Sequence, residues 1–370
     1  MSYLNPSDAV AQQENLARHI FDELRTKTFD GVGITRVSYG EGEQTARNIM
    51  ANVPKQLGMT VEDDPAGNVY MTLKGRDPQA KPVVIGSHID SVAQGGNFDG
   101  AAGVVSGLIA CAGLIKAGIK PPRDIKVMGI RAEESAWFGV SYIGSRSALG
   151  TLPSNSLENA KRSDTGRTLS DHMRSAGCNP DRIRDGHVFL PPKSLESYIE
   201  VHIEQGPVLE EAEIPVAVVT GIRGNRRLPN AACNGEYSHC GGVPRSHRRD
   251  AVIATAELVS FLDCVWEECE AADKDFAFTV GKFFTDQEWH AMTKISGRVE
   301  FSLDMRSLDN NFVESMVDRV KKKVEEISER RGVSFNLGNV TKADPGVMDV
   351  SIKGEMIEGA EVLGLSLIHI

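Results

Sequence analysis

The chain lacks the features that would tie it to a membrane or a nucleic acid. Its longest apolar run, residues 100–115, is sixteen residues rich in Gly and Ala. That is short of the roughly 20 needed to cross a bilayer, and it reads as a buried core helix. Residues 1–25 mix Asp, Glu, Gln and Asn into a helical pattern without the apolar centre of a signal peptide. Positive charge is in deficit: 41 Lys and Arg stand against 51 Asp and Glu, a formal net charge of −10. Nucleic acids and anionic membranes require a basic face, so neither is expected as a partner. The six cysteines (Cys111, Cys178, Cys233, Cys240, Cys264, Cys269) show no CxxC spacing, and reduced, mostly buried thiols are expected. There is no internal repeat and no low-complexity tract. A soluble cytoplasmic protein is the resulting expectation.

What is present is an ordinary globular composition, 41% hydrophobic and 25% charged. At 370 residues the chain is too long for one ordinary core, and two domains are expected. Strands at 69–73, 82–87, 124–130 and 197–202 alternate with helices at 15–26, 45–53 and 101–117. That alternation predicts an α/β domain with a mixed, mostly parallel sheet. Residues 161–193 are polar and read as short helices and loops. After residue 213 the texture changes, with strands at 215–221, 231–237, 276–283 and 299–305 and helices at 249–270 and 311–331. The expected organisation is a first domain of residues 1–213 and 345–370, with an inserted α+β module at 214–344. A helix at 350–363 is expected to return to the first domain.

Three strand ends carry matching chemistry. The first closes on His88 and Asp90, and Asp99 follows at the mouth of the next helix. The second closes on Glu133 and Glu134, and the third on His202, Glu204 and Gln205. In open α/β sheets, sites form outside the carboxyl ends of strands, so these groups can meet although they lie far apart in sequence. Taken singly, a His at a strand end or an adjacent Glu pair is an ordinary core or surface feature. Three such signals in one α/β domain point to a pair of divalent metals, which need one shared carboxylate and terminal imidazole and carboxylate ligands. Asp99 suits the bridge, with His88, Glu134 and His202 as terminal ligands. Asp90, two residues from His88, is placed to hold the imidazole by a hydrogen bond. Glu133 points away from its neighbour on an extended strand and is the candidate general base. His19, His172, His187, His247 and His290 lack ligand-like neighbours.

The motifs GSHIDSVAQGGNFDGAAGV, RAEESAWFG, VHIEQGPVLE, SHCGGVPRSHRRDA and FSLDMRS run in this order from about residue 80 to 310. Together they resemble the metallopeptidase-related amidohydrolases that comprise N-carbamoyl-L-amino-acid hydrolases, allantoate amidohydrolases and β-ureidopropionases. The Gln of HIEQGP separates that branch from the aminoacylases and peptidases. The resemblance implies a two-metal catalytic domain and an inserted lid that also mediates homodimer formation. It implies His88, Asp99, Glu134 and His202 as ligands of two divalent ions, Zn or Mn with Co or Ni also compatible, and Glu133 as general acid/base. It further implies that His239 reaches the partner subunit's site to stabilise an oxyanion, that Arg306 binds the substrate carboxylate, and that Gln205 helps hold the substrate. An Arg is the natural bidentate carboxylate clamp, although an Arg on a strand is more often a surface ion-pair residue, and Arg306 carries that alternative.

Two departures bear on these expectations. Many relatives carry an Asn in an N-x-x-P-G stretch before FSLDMRS, where this chain has Thr293-Lys294-Ile295-Ser296-Gly297; Thr293 is therefore the candidate substrate-binding position. The family also runs on to a last metal-binding His, whereas this sequence closes on Leu365-Ser366-Leu367-Ile368-His369-Ile370. That ending does not match the pattern, and His369 is not taken for the missing ligand. The expected reaction is hydrolysis of a linear C–N bond in a small carboxylate-bearing N-carbamoyl or ureido compound. The alternatives are an aminoacylase or dipeptidase on the same scaffold, or a non-catalytic dimeric fragment.

Overall fold

The computed structural model describes residues 5–365 and the backbone of 367–369. The chain divides into two compact units, Met1–Gln205 and Gly206–Ile370. Among the described residues no helix is long and apolar enough to cross a membrane.

The first unit carries helices α1 (Pro6–Ala11), α2 (Glu14–Thr28), α3 (Glu41–Gln56), α4 (Ala101–Lys116) and α5 (Ser135–Phe138). Its five strands are β1 (Thr60–Asp63), β2 (Val69–Leu73), β3 (Val83–His88), β4 (Ile125–Ile130) and β5 (Ser197–Ile199). The sheet order is β1-β2-β4-β3-β5. β3 runs parallel to both β4 and β5, while β1 with β2 and β2 with β4 are antiparallel. The sheet is thus parallel in the half that ends in His88 and antiparallel in the other. The cause is local: Asp64 accepts the N–H groups of Ala66 and Asn68, forming a turn that folds β1 back onto β2.

α4 is apolar nearly all round, and Val104, Val105, Leu108 and Cys111 are buried. It lies close to the sheet because it carries small residues. A β-carbon at Gly103 would come within 2.3 Å of the Val201 carbonyl oxygen and 2.6 Å of Ser87. α2 and α3 pack their amphipathic stripes on the same core through Ile20, Leu24, Ala46, Ile49 and Met50. Burying each such large aliphatic side chain contributes about 1.5–3 kcal/mol.

The second unit is an antiparallel sheet with two long helices. Its strands include β6 (Gly224–Asn234), β7 (Ser238–His239), β8 (Ala277–Thr279), β9 (Phe283–Thr285), β10 (Lys294–Ile295), β11 (Arg298–Ser307), β12 (Ser334–Asn336) and β13 (Thr341–Ala343). The helices are α6 (Ala251–Ala271) and α7 (Asn310–Arg331), followed by α8 (Val350–Val362). β8, β11, β6 and β12 are successive neighbours; β9 also pairs with β11 and β13 with β6. Along β11 the buried residues Val299, Phe301, Leu303 and Met305 join the core that includes Leu258 and Leu262 of α6 and Val313 and Val320 of α7. The period of two turns Arg298, Glu300, Asp304 and Arg306 to the opposite face.

The tail of the chain pairs with strands near residue 220. Gly346–Val347 pairs with Gly221–Ile222, and Leu367–His369 runs parallel to Val216–Val218. These partners all lie after residue 205, so the tail groups with the second unit. The side chain of His369 lies outside the described residues.

Candidate metal centre

In the first unit the parallel strands deliver their carboxyl ends to one side. β3 ends in His88, and residues 89–99 then lead into α4. A β-carbon at Gly100, where φ is +64°, would lie 2.5 Å from the His88 ring. Glycine there lets the chain pass over the imidazole.

Donor atoms converge on Asp99. His88 Nε2 stands 3.5 Å and His202 Nε2 3.3 Å from Asp99 Oδ1. Gln205, itself in the left-handed region at φ +58°, donates from Nε2 to Asp99 Oδ2 at 2.8 Å. The other ring nitrogens are engaged by main-chain carbonyls: His88 Nδ1–H donates to Asp90 O at 3.0 Å, and His202 Nδ1–H to Ile203 O at 2.8 Å. Both Nε2 atoms are thereby turned toward one carboxylate oxygen, which is buried and has no hydrogen-bond partner. A second set, His88 with Glu133 and Glu134, brings ligand atoms within 4.8 Å of one another, as does the set His88, Asp99 and His202. His88 is common to both.

The electrostatics favour a cation. Burial opposes charge on His88, but the Asp90 and Asp99 carboxylates outweigh it, and with Glu133 they push its pKa up to about 11. The adjacent His88 imidazole in turn lowers that of Asp99, against burial. Burial raises Glu133 to about 7, helped by the charges of Asp90, Glu134 and Glu200 and opposed by His88. Burial likewise raises Glu134. Imidazole nitrogens, an orphaned buried carboxylate oxygen and two further carboxylates match the donor set of Zn, Mn, Co or Ni, so the residues present fit divalent metal.

Asp90 acts differently from the expected imidazole holder. Its fully buried carboxylate stands 3.6 Å from His88 Nδ1, and the main-chain carbonyl takes that proton instead. The carboxylate accepts from Ser38 Oγ at 2.6 Å and from the N–H groups of Glu133 at 3.0 Å and Glu134 at 3.2 Å. It thus joins the end of β3 to the loop after β4. Glu133 and Glu134 do not alternate across a strand as expected, because β4 stops at Ile130. Ala132 turns into the left-handed region at φ +50°, and Glu134 is the residue before α5. Both carboxylates therefore reach toward His88.

The sequence reading overlooked the buried residues beneath this site. Arg36 is completely buried and donates to three main-chain carbonyls, Ile89 O at 2.7 Å, Asp99 O at 2.9 Å and Asn97 O at 3.4 Å. It ties both ends of the 89–99 loop. Glu43 is equally buried and pairs with Arg131. One signal was available for Glu43: it lies on the same stripe of α3 as Ala46 and Met50, a place where a charge calls for explanation.

The remaining candidates lie in the second unit. Lys294 of β10 is in register with His239 of β7, and Cys240 N–H donates to Thr293 O at 3.1 Å, so His239 and Thr293 are neighbours. His239 Nδ1 accepts the N–H groups of Gly241 and Gly242, each at 3.1 Å. That arrangement places the ring proton on Nε2, an outward hydrogen-bond donor. Arg306 lies on the open face of β11, with Nε and Nη2 3.2 and 2.9 Å from Asp304 Oδ2. Arg227 shares the same oxygen.

Comparison with known proteins agrees with this chemistry. Residues 68–162 match the model of Peptidase family M28. The N-carbamoyl-L-amino acid amidohydrolase of Geobacillus stearothermophilus is 33% identical over 332 residues, covering 90% of this chain and 78% of that protein. The ureidoglycolate hydrolase of Arabidopsis thaliana is 31% identical, covering 90% and 70%. The crystal structure of an amidase of the hydantoinase/carbamoylase family from Burkholderia multivorans superposes with a TM-score of 0.84 at 27% identity, covering 96% of this chain and 84% of that one. With relatives this similar along nearly its whole length, the chain belongs to the hydantoinase/carbamoylase family of metal-dependent amidohydrolases.

Proposed function

We propose that this protein hydrolyses a linear C–N bond in a carboxylate-bearing N-carbamoyl or ureido compound, such as an N-carbamoyl-L-amino acid, ureidoglycolate or allantoate. The observation that carries the reading is the pair of imidazole Nε2 atoms facing the orphaned Asp99 oxygen, with Glu133 and Glu134 grouped on the same His88. His88, Asp99, Glu134 and His202 would hold two divalent ions, Zn or Mn. When bound, such ions polarise a carbonyl and bring the pKa of water toward 7.

Glu133 takes the proton from the attacking water and delivers it to the leaving nitrogen; a carboxylate poised near neutrality suits both transfers. Asp90 fixes the peptide that carries Glu133. Gln205, anchored on Asp99, presents its amide to the substrate. His239 donates from Nε2 to the oxygen of the tetrahedral intermediate, acting in the partner subunit of a homodimer. Arg306 forks onto the substrate carboxylate, and Thr293 lines the same recognition surface. A catalytic part of 1–213 with 345–370, a lid of 214–344 and a cytoplasmic location belong to this proposal.

The test offers purified, metal-supplemented protein N-carbamoyl-L-amino acids, ureidoglycolate and allantoate, read by ammonia release, beside N-acetyl-amino acids and dipeptides, read by the free amino acid formed. Turnover confined to the first group is expected. The Peptidase M28 match over residues 68–162 favours one second reading, a dipeptidase, and turnover confined to dipeptides would establish it.

A further inference from the structure

We propose that Glu43 is a positioning residue for Glu133: by holding Ala132 in a left-handed turn it fixes where the Glu133 carboxylate points. The proposal rests on the reading of Glu133 as the proton-transfer group.

Glu43 projects from the first turn of α3 into the base of the loop that follows β4, and it is completely buried. Its Oε1 accepts the Ala132 N–H at 2.8 Å. Its Oε2 accepts the Tyr39 N–H at 2.7 Å and Arg131 Nε at 2.7 Å, with Arg131 Nη2 at 2.6 Å. The Arg131 guanidinium also donates to Gln44 Oε1 at 3.0 Å and lies 4.8 Å from the centre of the Tyr39 ring. Both oxygens of Glu43 therefore face donors only.

The residue Glu43 grips is the strained one. A non-glycine residue at φ +50° is uncommon, and such conformations persist where the surroundings over-determine them. Here the surroundings can be followed atom by atom. Arg131 N–H donates to Asn68 Oδ1 at 2.9 Å. The carbonyls of Arg131, Ala132 and Glu133 accept from Gly144 at 3.0 Å, Ile143 at 3.0 Å and Tyr142 at 2.8 Å. The Glu133 and Glu134 N–H groups go to Asp90. Within 131–134, Glu43 supplies the acceptor at the turn itself, one residue before Glu133. A fold that needed only stability would do as well with apolar residues in place of the buried pair. An acceptor-only carboxylate at this point instead selects one backbone conformation.

Glu43→Gln keeps the size of the side chain but must set an amide N–H against Ala132 N–H or against Tyr39 and Arg131. Displacing a reacting group by about 1 Å costs on the order of 10²-fold. The variant is therefore expected to lose between about ten- and a hundredfold in kcat, with KM and bound metal close to the parent's. Leu108→Ala, in the α4 core, serves as a control of comparable thermal destabilisation and is expected to keep its kcat. Adding Ala132→Gly to Glu43→Gln removes the penalty of positive φ, so kcat should recover severalfold while the melting temperature stays low.

An unchanged kcat in Glu43→Gln would overturn the proposal, as would a loss matched by Leu108→Ala or one that Ala132→Gly leaves unrelieved. If Glu43→Gln does not fold, Ala132→Val leaves the Glu43–Arg131 pair intact and raises the cost of the turn, together with a packing cost at this fully buried position. It should then lower kcat at constant KM, and an unchanged kcat there is equally fatal. Near-parent turnover in Glu133→Gln would instead remove the underlying reading of Glu133, which separates the two failures.

Discussion

Replacing Glu133 by Gln should move activity and stability in opposite directions. Gln keeps the shape but accepts no proton at neutral pH, and a positioned acid–base group contributes about 10²–10⁴-fold. At 1.36 kcal/mol per tenfold, that is a barrier increase of roughly 3–5 kcal/mol. The stability term has the other sign. Burial and the charges of Asp90, Glu134 and Glu200 raise Glu133 from 4.5 to about 7, so the folded state favours its protonated form. That contribution is fully present below the unfolded pKa and is lost as pH rises through the folded one. At pH 8 the ionised side chain then costs the metal-stripped protein on the order of 3 kcal/mol, reduced to about 1–3 by residual solvent. Gln escapes this cost.

For a unit of this size, 1 kcal/mol corresponds to about 2–4 °C. The metal-stripped variant should therefore melt roughly 2–10 °C above the parent at pH 8, with the gap closing toward pH 4.5. Calorimetry in chelator across that pH range, beside turnover in metal, measures both. Near-parent turnover, or a melting temperature below the parent's at pH 8, would refute the reasoning.

Three further outcomes are expected. The acid limb of kcat/KM should lie between 4.5 and about 7, because bound cations pull Glu133 down from its metal-free value; activity rises with pH as the base loses its proton, and a limb below 4.5 in a pH–rate profile would count against Glu133. Mixing Glu133→Gln with His239→Ala chains should restore up to roughly a quarter of the parent's sites on random exchange between two-fold dimers; no recovery after verified exchange places His239 in its own subunit's chemistry or outside it. Arg306→Lys keeps the charge but loses the planar fork, so KM for carboxylate substrates should rise about tenfold, close to 1.4 kcal/mol, with kcat little changed. An unaltered KM in steady-state kinetics would remove Arg306 from substrate recognition.

The sequence announced the first unit through local patterns. The apolar run before His88, the small-residue helix after Asp99 and the strand before Arg131 are all periodic or compositional signals, and each became the expected element. Less legible was whatever depends on a single backbone angle or a distant partner. Nothing local marks Ala132 for φ +50°, so Glu133 and Glu134 read as opposite sides of a strand rather than as two carboxylates turned toward one imidazole. Arg36 and Glu43 bond to groups 53 and 89 positions away, beyond the reach of any spacing rule. The hairpin of β1 and β2 was partly hidden for a similar reason: Thr60–Asp63 is a short, mostly exposed edge with little hydrophobic alternation to betray it. In the second unit the strand expected at 299–305 is present within β11, Arg298–Ser307.

Asp90 has a consequence for how such a protein can diversify. One carboxylate follows the strand that bears His88 and also fastens the peptide groups of Glu133 and Glu134, so that strand and the loop after β4 form a single mechanical part. A substitution that displaces the Asp90 carboxylate shifts both, and drift at that point is punished twice. His239, Thr293 and Arg306 belong to the second unit, which has its own core. With the proposed roles of these three residues in recognition, new substrate preferences would be acquired on the second unit. Relatives about 30% identical to this chain carry names as different as N-carbamoyl-L-amino acid amidohydrolase and ureidoglycolate hydrolase, a spread of substrates that this separation of duties accommodates.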